Sequence, residues 1–179
     1  MITRGLFRSS LIIILFMGTG VSFTNGQVKE DGPVARSAIY IELAGQGLLY
    51  SVNYEYLLAD DISVRIGYSQ WTISSLFLFT AGELSFTGFP VMVNYLSGSG
   101  SGHLELGLGV MPMKISLDGH DILFGTDVSN SATLLIGTAT LGYRYQPPDG
   151  GFVFRIGLTP FFNEKVIAVS GGLSMGVAF

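Results

Sequence analysis

Along most of this chain every second residue is apolar, the signature of a strand with one greasy face. Ile39, Ile41 and Leu43 alternate with Tyr40, Glu42 and Ala44. Gln46-Gly47 then suits a tight hairpin, because glycine supplies the positive φ such turns need. From Leu48 to Leu57 the residues Leu48, Tyr50, Val52, Tyr54 and Tyr56 alternate with Leu49, Ser51, Asn53 and Glu55. After Ala59-Asp60-Asp61 the pattern resumes, with Ile62, Val64, Ile66 and Tyr68 against Ser63, Arg65, Gly67 and Ser69. Four further strands are predicted around Phe89–Tyr95, Leu104–Val110, Leu135–Tyr143 and Phe152–Leu158. The last is the most regular. Ile167, Val169, Leu173, Met175, Val177 and Phe179 take one face, while Ala168, Ser170, Gly172, Ser174, Gly176 and Ala178 take the other.

Eight strands in meander order predict an all-β, eight-stranded antiparallel up-and-down transmembrane β-barrel. A closed barrel satisfies its backbone polar groups inside lipid, and no segment offers the roughly 20 apolar residues of a membrane helix. A soluble barrel of the lipocalin kind is the competing architecture. It would put the other face in water, and that face is mostly Gly, Ala, Ser and Thr, a poor solvent surface. An even strand number places both termini on one side, expected to be the periplasm. The turns at residues 59–61, 97–102 and 146–150 then lie there too, and the longer connections at 70–85 and 115–131 are expected as loops outside the cell. Tyr54, Tyr56, Tyr95, Tyr143 and Tyr145 sit near strand ends on the periplasmic side, where an aromatic girdle belongs.

Composition sharpens the compartment. Arg4 and Arg8, then the apolar run Leu11–Val21, then Thr24 and Gly26 before Gln27 read as a secretory signal over residues 1–26. Residues 27–37 read as a flexible leader and 38–179 as the barrel. Losing the signal removes two arginines and no acid, so the formal net charge of −4 falls by two more. That balance argues against a nucleic-acid partner. The chain has no Cys, so no disulfide enters the fold, and no cofactor is expected.

The closing strand, ending on Phe179, resembles the terminal strand of bacterial outer-membrane barrels, whose final Phe is part of the signal read by the barrel assembly machinery. The resemblance implies that machinery and outer-membrane lipids as partners. Several stretches together are similar to a family of small, largely uncharacterised outer-membrane barrel proteins of Bacteroidota. They are E-L-A-G-Q-G-L-L-Y-S-V-N-Y-E from Glu42, F-P-V-M-V-N-Y-L-S-G from Phe89, H-L-E-L-G-L-G-V from His103, G-Y-R-Y-Q from Gly142 and G-G-F-V-F-R-I-G-L-T-P from Gly150. The resemblance implies fold and location and brings no activity with it.

Parity turns Glu42, Glu55, Arg65, Glu105, Arg144 and Arg155 inward, with Asn53, Asn94 and His103. Three acids and three bases in a narrow interior are expected to pair, since an unpaired buried charge is expensive. Counting around the turns puts Asn53 opposite Arg65, Asn94 opposite Glu105 and Gly142 opposite Arg155. This layer reads as a structural ionic core. A sharper reading is a gate whose partner exchange opens a narrow channel.

Enzymatic chemistry has little to stand on. Lipid A acyl transferases and deacylases with eight strands need a His, a Ser and an acid near the outer rim. His103 lies at the other end. His120, in D-G-H-D from Asp118 to Asp121, is on the suitable side with Ser116, Ser129 and Ser131 nearby in sequence, but no transferase or deacylase spacing is present. Asp118, Asp121 and Asp127 supply oxygens for calcium without the regular loop spacing. The run Leu76-Phe77-Leu78-Phe79 is either an exposed apolar hairpin tip, a binding surface, or a strand that continues with its alternation broken by a bulge. The leading expectation is a structural or surface-binding barrel with a plugged polar interior, ahead of a lipid-modifying enzyme and a narrow channel.

Overall fold

Period-two patterning produces nine strand segments in a computed structural model that describes residues 35–77, 80–121, 127–163 and 167–179. They are β1 (Ser37–Ala44), β2 (Tyr50–Leu57), β3 (Ile62–Phe77), β4 (Thr80–Gly88), β5 (Val91–Ser99), β6 (Gly102–Asp121), β7 (Asp127–Tyr145), β8 (Gly151–Phe162) and β9 (Ile167–Ala178). All neighbours are antiparallel, and β9 returns to pair with β1 from Ala38↔Ala178 to Ala44↔Gly172. Phe179 and Ser37 exchange both main-chain hydrogen bonds, at 2.8 and 3.0 Å, and complete the seam.

The barrel has eight staves because β4 and β5 are one. Both run between β3 and β6, and the pairing with β3 has a single register, Ser69↔Gly88 on one side and Ile66↔Val91 on the other. The ladder breaks at Pro90, which has no N–H to give. Gly67 still donates to the Pro90 carbonyl at 2.8 Å, and Phe89 donates to that of Pro112 at 3.0 Å.

Inside and outside divide as alternation requires. Ile66, Val93 and Leu108 point outward and are about half exposed or more, while Arg65, Asn94 and Glu105 are buried. Tyr54, Tyr56, Tyr95, Tyr143 and Tyr145 are exposed near the rim that carries the termini.

Three sequence expectations change. First, residues 70–85 and 115–131 are largely strand: β3 is 16 residues long, β6 is 20 and β7 is 19, against eight each for β1 and β2. The upper parts of β3, β4, β6 and β7 pair on past the rest of the barrel, from Ser69↔Gly88↔Met113↔Leu134 toward the tips. They form a four-stranded blade. β3 pairs with β4 residue for residue up to Phe77↔Thr80, so no bulge interrupts its described part.

Second, the cross-strand partners are displaced by two residues. Glu55 faces Arg65 and Asn53 faces Gly67, because the β2–β3 pairing starts only at Leu57↔Ser63. Asn94 faces Gly107 and Leu96 faces Glu105, since Gly100-Ser101 alone makes the turn after Ser99↔Gly102. Arg155 faces Arg144, and Gly142 faces Gly157. A slide by two leaves every side chain on its own face, so alternation cannot detect it.

Third, the β1–β2 connection is no two-residue hairpin. Gly45–Gly47 forms a short 3-10 turn whose three residues are all buried, with Ala44 (φ 56°) and Leu48 (φ 67°) bent sharply on either side. β2 accordingly begins at Tyr50, and β1 begins one residue ahead of the expected barrel boundary.

Candidate functional site

Each inward charge is placed by a strand whose outward neighbours are apolar. Glu42, Asn53, Glu55, Arg65, Asn94, Glu105, Arg144 and Arg155 are all buried; His103 is partly exposed, opposite Arg144 at the start of β6. Glu55 is the centre. Its carboxylate accepts from Arg144 Nη1, from the Ser63 hydroxyl, from Asn94 Nδ2 at 3.2 Å and from the Tyr40 hydroxyl at 2.7 Å. Arg155 grips Glu105 with a two-pronged fork, Nε to Oε2 at 2.8 Å and Nη2 to Oε1, and its Nη1 is 3.9 Å from Glu55. Arg65 reaches Glu42 at 3.5 Å. Such forks fix orientation as well as charge.

Tyr40 ties the ion pairs together. Its hydroxyl donates to Glu55 and accepts from Arg155 Nη1 and, at 3.4 Å, from Arg65 Nη1. The Arg155 guanidinium also lies 4.8 Å from the centre of the Tyr40 ring. Like charges of Arg144 and Arg155 on paired residues are tolerable because each has its own carboxylate.

Above and below this layer lie uncharged groups. The fully buried Gln46 reaches across from the β1–β2 turn to the Thr140 hydroxyl at 2.5 Å, and its N–H donates to Glu42 at 3.2 Å. Glycine is needed on both sides: a Cβ on Gly45 would sit 2.5 Å from the Glu42 carboxyl carbon, and one on Gly47 2.6 Å from Ser51 Cβ. Toward the terminal rim, Gln146 accepts from Arg144 Nε at 3.0 Å and donates to the Ala35 carbonyl at 3.3 Å. Ala35, Ala38, Tyr40, Val153 and Ala178 pack together there. At the opposite end Met111, Met113 and Phe161 form an apolar layer with Leu48, Phe86, Ile115 and Ile136.

Among the described residues several buried polar atoms have no protein partner: Arg65 Nε and Nη2, Asn53 Oδ1, Asn94 Oδ1, Gln46 Oε1, Thr138 Oγ1 and His103 Nδ1. Donors and acceptors are mixed, the composition that internal water satisfies. A cavity of about 10 Å³ beside Glu42, Glu105, Arg155, Thr159 and Ser174 has room for about one water.

The blade has a different chemistry. On the face continuous with the bore lie Trp71, Ile73, Leu84, Phe86, Ile115 and Leu117, and the Trp71 and Phe86 rings stack at 4.0 Å. On the face continuous with the barrel exterior lie Gln70, Thr72, Ser74, Glu83, Ser85, Lys114, Ser116 and Asp118. Body and blade thus have opposite polarity on the same sheet faces.

The remaining sequence candidates are in or near the blade. Leu76 and Phe77 end β3, while Leu78 and Phe79 lie outside the described residues. Asp118 accepts from the Ser129 hydroxyl at 2.6 Å. His120 and Asp121 end β6, with His120 opposite Ala81 and Asp127. Ser116 is four positions from His120 along β6, about 13 Å at strand spacing, while Ser129 lies opposite Asp118 and Ser131 opposite Ser116. No three His, Asp or Glu side chains among the described residues gather as a metal site.

Tyr40, Gln46 and Gln146 are among the buried interior residues that sequence reasoning left out, as is Ser63, which donates to Glu55. Tyr40 has the parity of Glu42, which is signal enough to place it inside; the two glutamines sit in turns, where parity is silent.

No protein-family model matches the chain, and no curated protein matches it in sequence. Among the solved structures that share the fold are two barrels of other bacteria. The attachment invasion locus protein Ail of Yersinia pestis is 18% identical, with 81% of this chain and 97% of that chain covered at a TM-score of 0.53. The N-terminal β-barrel domain of Pseudomonas aeruginosa OprF is 14% identical, with 83% and 98% covered, also at 0.53. At these identities the likeness is one of architecture: a closed eight-stranded antiparallel barrel.

Proposed function

We propose that this is a bacterial outer-membrane barrel whose filled interior makes it a rigid, non-conducting support, and whose blade is a binding surface presented outside the cell. The observation that carries the reading is the reversal of polarity along single strands. On β3 the outward residues change from Ile62, Val64, Ile66 and Tyr68 to Gln70, Thr72 and Ser74; on β6 they change from Leu104, Leu106, Leu108 and Val110 to Lys114, Ser116 and Asp118. Lipid against the first set and water against the second accounts for both, and the two changes come at the same level of the wall. The termini then belong in the periplasm, with Phe179 available to the assembly machinery, as in the Bacteroidota barrels the sequence resembles. Gln46 above, the ion pairs in the middle, and Ala35 with Gln146 below support a plugged bore. The surface role has an architectural parallel in Ail, named for attachment and invasion.

Two measurements test this. The folded protein is expected to migrate faster on a gel before heating than after it, and to fractionate with outer membranes; recovery in the soluble fraction overturns the location. In planar bilayers it is expected to give no steady conductance, and reproducible openings overturn the plugged interior.

A further inference from the structure

We infer that the outer edge of β3, from Thr72 to Phe77, is a seat for an extended polypeptide segment of alternating apolar and polar side chains, added to the blade as a fifth strand. The inference rests on the blade standing in water and goes on to say what it holds.

The edge exists because β2 is short. β3 pairs with β2 only up to Val52↔Tyr68, and from Ser69 to Phe77 its described partner is β4 alone. The direction of its main-chain groups is fixed by one contact: the Tyr50 hydroxyl donates to the Gln70 carbonyl. That carbonyl therefore points away from β4. By the two-residue repeat of a strand, the N–H and C=O of Thr72 and Ser74 point the same way. A row of unpaired donors and acceptors is a template for another strand, and proteins that avoid such pairing place Lys or Pro on the edge. Ser69–Phe77 contains no charge and no proline.

The two blade faces set the specificity. A strand added here would turn one set of side chains toward Trp71 and the half-exposed Ile73, and the other toward Thr72 and Ser74. Alternation of apolar and polar residues is what both faces accept, as in other strand-addition sites. The seat from Thr72 to Phe77 spans about 20 Å. The opposite edge, on β7, offers Asn130 and Ala132 on the apolar side and lacks an aromatic anchor.

The occupant is not the blade of a second copy. In a neighbour standing upright in the same membrane, β7 would have the antiparallel sense needed to pair with this edge. But β7 runs on from Gly137 to Tyr145 into its own barrel, and that part would have to occupy the place of β2. Only a strand that ends above the β1–β2 turn fits, so the segment comes from a separate polypeptide approaching from outside.

The absence of Cys from the chain permits a direct test. Leu49→Cys, at the exposed β1–β2 turn below the seat, is joined by a disulfide to a peptide of three Thr-Val repeats behind a Cys-Gly-Gly leader, which raises its local concentration to about the millimolar range. Full-length protein in lipid nanodiscs is followed by hydrogen exchange at the Thr72 and Ser74 amides. The alternating peptide is expected to slow both by about tenfold, whereas a peptide of the same composition with its three valines together protects less. Thr72→Pro removes one edge donor without touching the β4 ladder and is expected to abolish the protection at Ser74. Unchanged exchange with the alternating peptide, equal protection by the block peptide, or persistence in Thr72→Pro would overturn the inference. If both amides already exchange slowly before any peptide is attached, the blade is not in water, and the surface reading falls with this one. Fast exchange that the peptide fails to slow removes this inference alone.

Discussion

The body and the blade are made of the same strands, yet they solve opposite problems. In the body, apolar residues line the outside and ions line the bore; in the blade, Trp71, Phe86 and Ile115 continue the bore face while Thr72, Ser85 and Ser116 continue the exterior. The alternation itself never breaks. What reverses is which phase carries the grease, as the proposed change from lipid to water on the outer face requires. Burial differs as well. Glu55 and Arg65 are almost inaccessible, whereas Ile73 and Leu117, on the blade's greasy face, are about half exposed. The body should therefore respond to point changes as a packed interior does, and the blade as a surface does.

The largest effect is expected from Glu55→Ala. It strands Arg144 beside the Arg155 with which it is paired, and removing one partner of a buried pair costs about 3–5 kcal/mol. The urea midpoint of the gel-mobility shift should fall accordingly. A loss below about 1 kcal/mol would mean that the layer is hydrated like a surface and would erase the contrast. Tyr40→Phe comes next. It deletes the hydroxyl shared by Glu55, Arg155 and Arg65 and keeps the ring under the guanidinium, for an expected cost of about 1–3 kcal/mol by the same titration.

How much of this contrast could be read from sequence depends on where side-chain phase is informative. Nine inward polar residues from Glu42 to Arg155 are placeable by parity, because each strand is flanked by outward apolar neighbours. Their partners are not. Glu55 faces Arg65, and Arg144 faces Arg155, since a two-residue slide preserves parity and the true register depends on where each turn closes. Gln46 and Gln146 were invisible for a related reason: turn residues have no phase, and their burial comes from folding back into the bore. The blade reads as two loops in the sequence because the apolar outward positions stop at Tyr68, where the phase reverses and Trp71 takes over.

In the blade, Trp71→Ala is expected to be mild. The residue stacks on Phe86 at 4.0 Å but is only partly buried, so the global loss should be about 1 kcal/mol. The same titration applied to both regions orders the three variants as Glu55→Ala, then Tyr40→Phe, then Trp71→Ala. An inverted order would show the blade, and not the ionic layer, to be the stabilising unit.

The reversal of polarity is most directly tested by placing a single thiol on each side of it in a chain that has none of its own. Ile66→Cys and Thr72→Cys lie on the same outward face of β3, three residues to either side of Ser69. Intact cells expressing each variant would be treated with a membrane-impermeant maleimide. Thr72→Cys should label readily while Ile66→Cys labels only after the membrane is dissolved. Equal labelling of the two, or protection of Thr72→Cys, would contradict a bilayer edge between Tyr68 and Gln70.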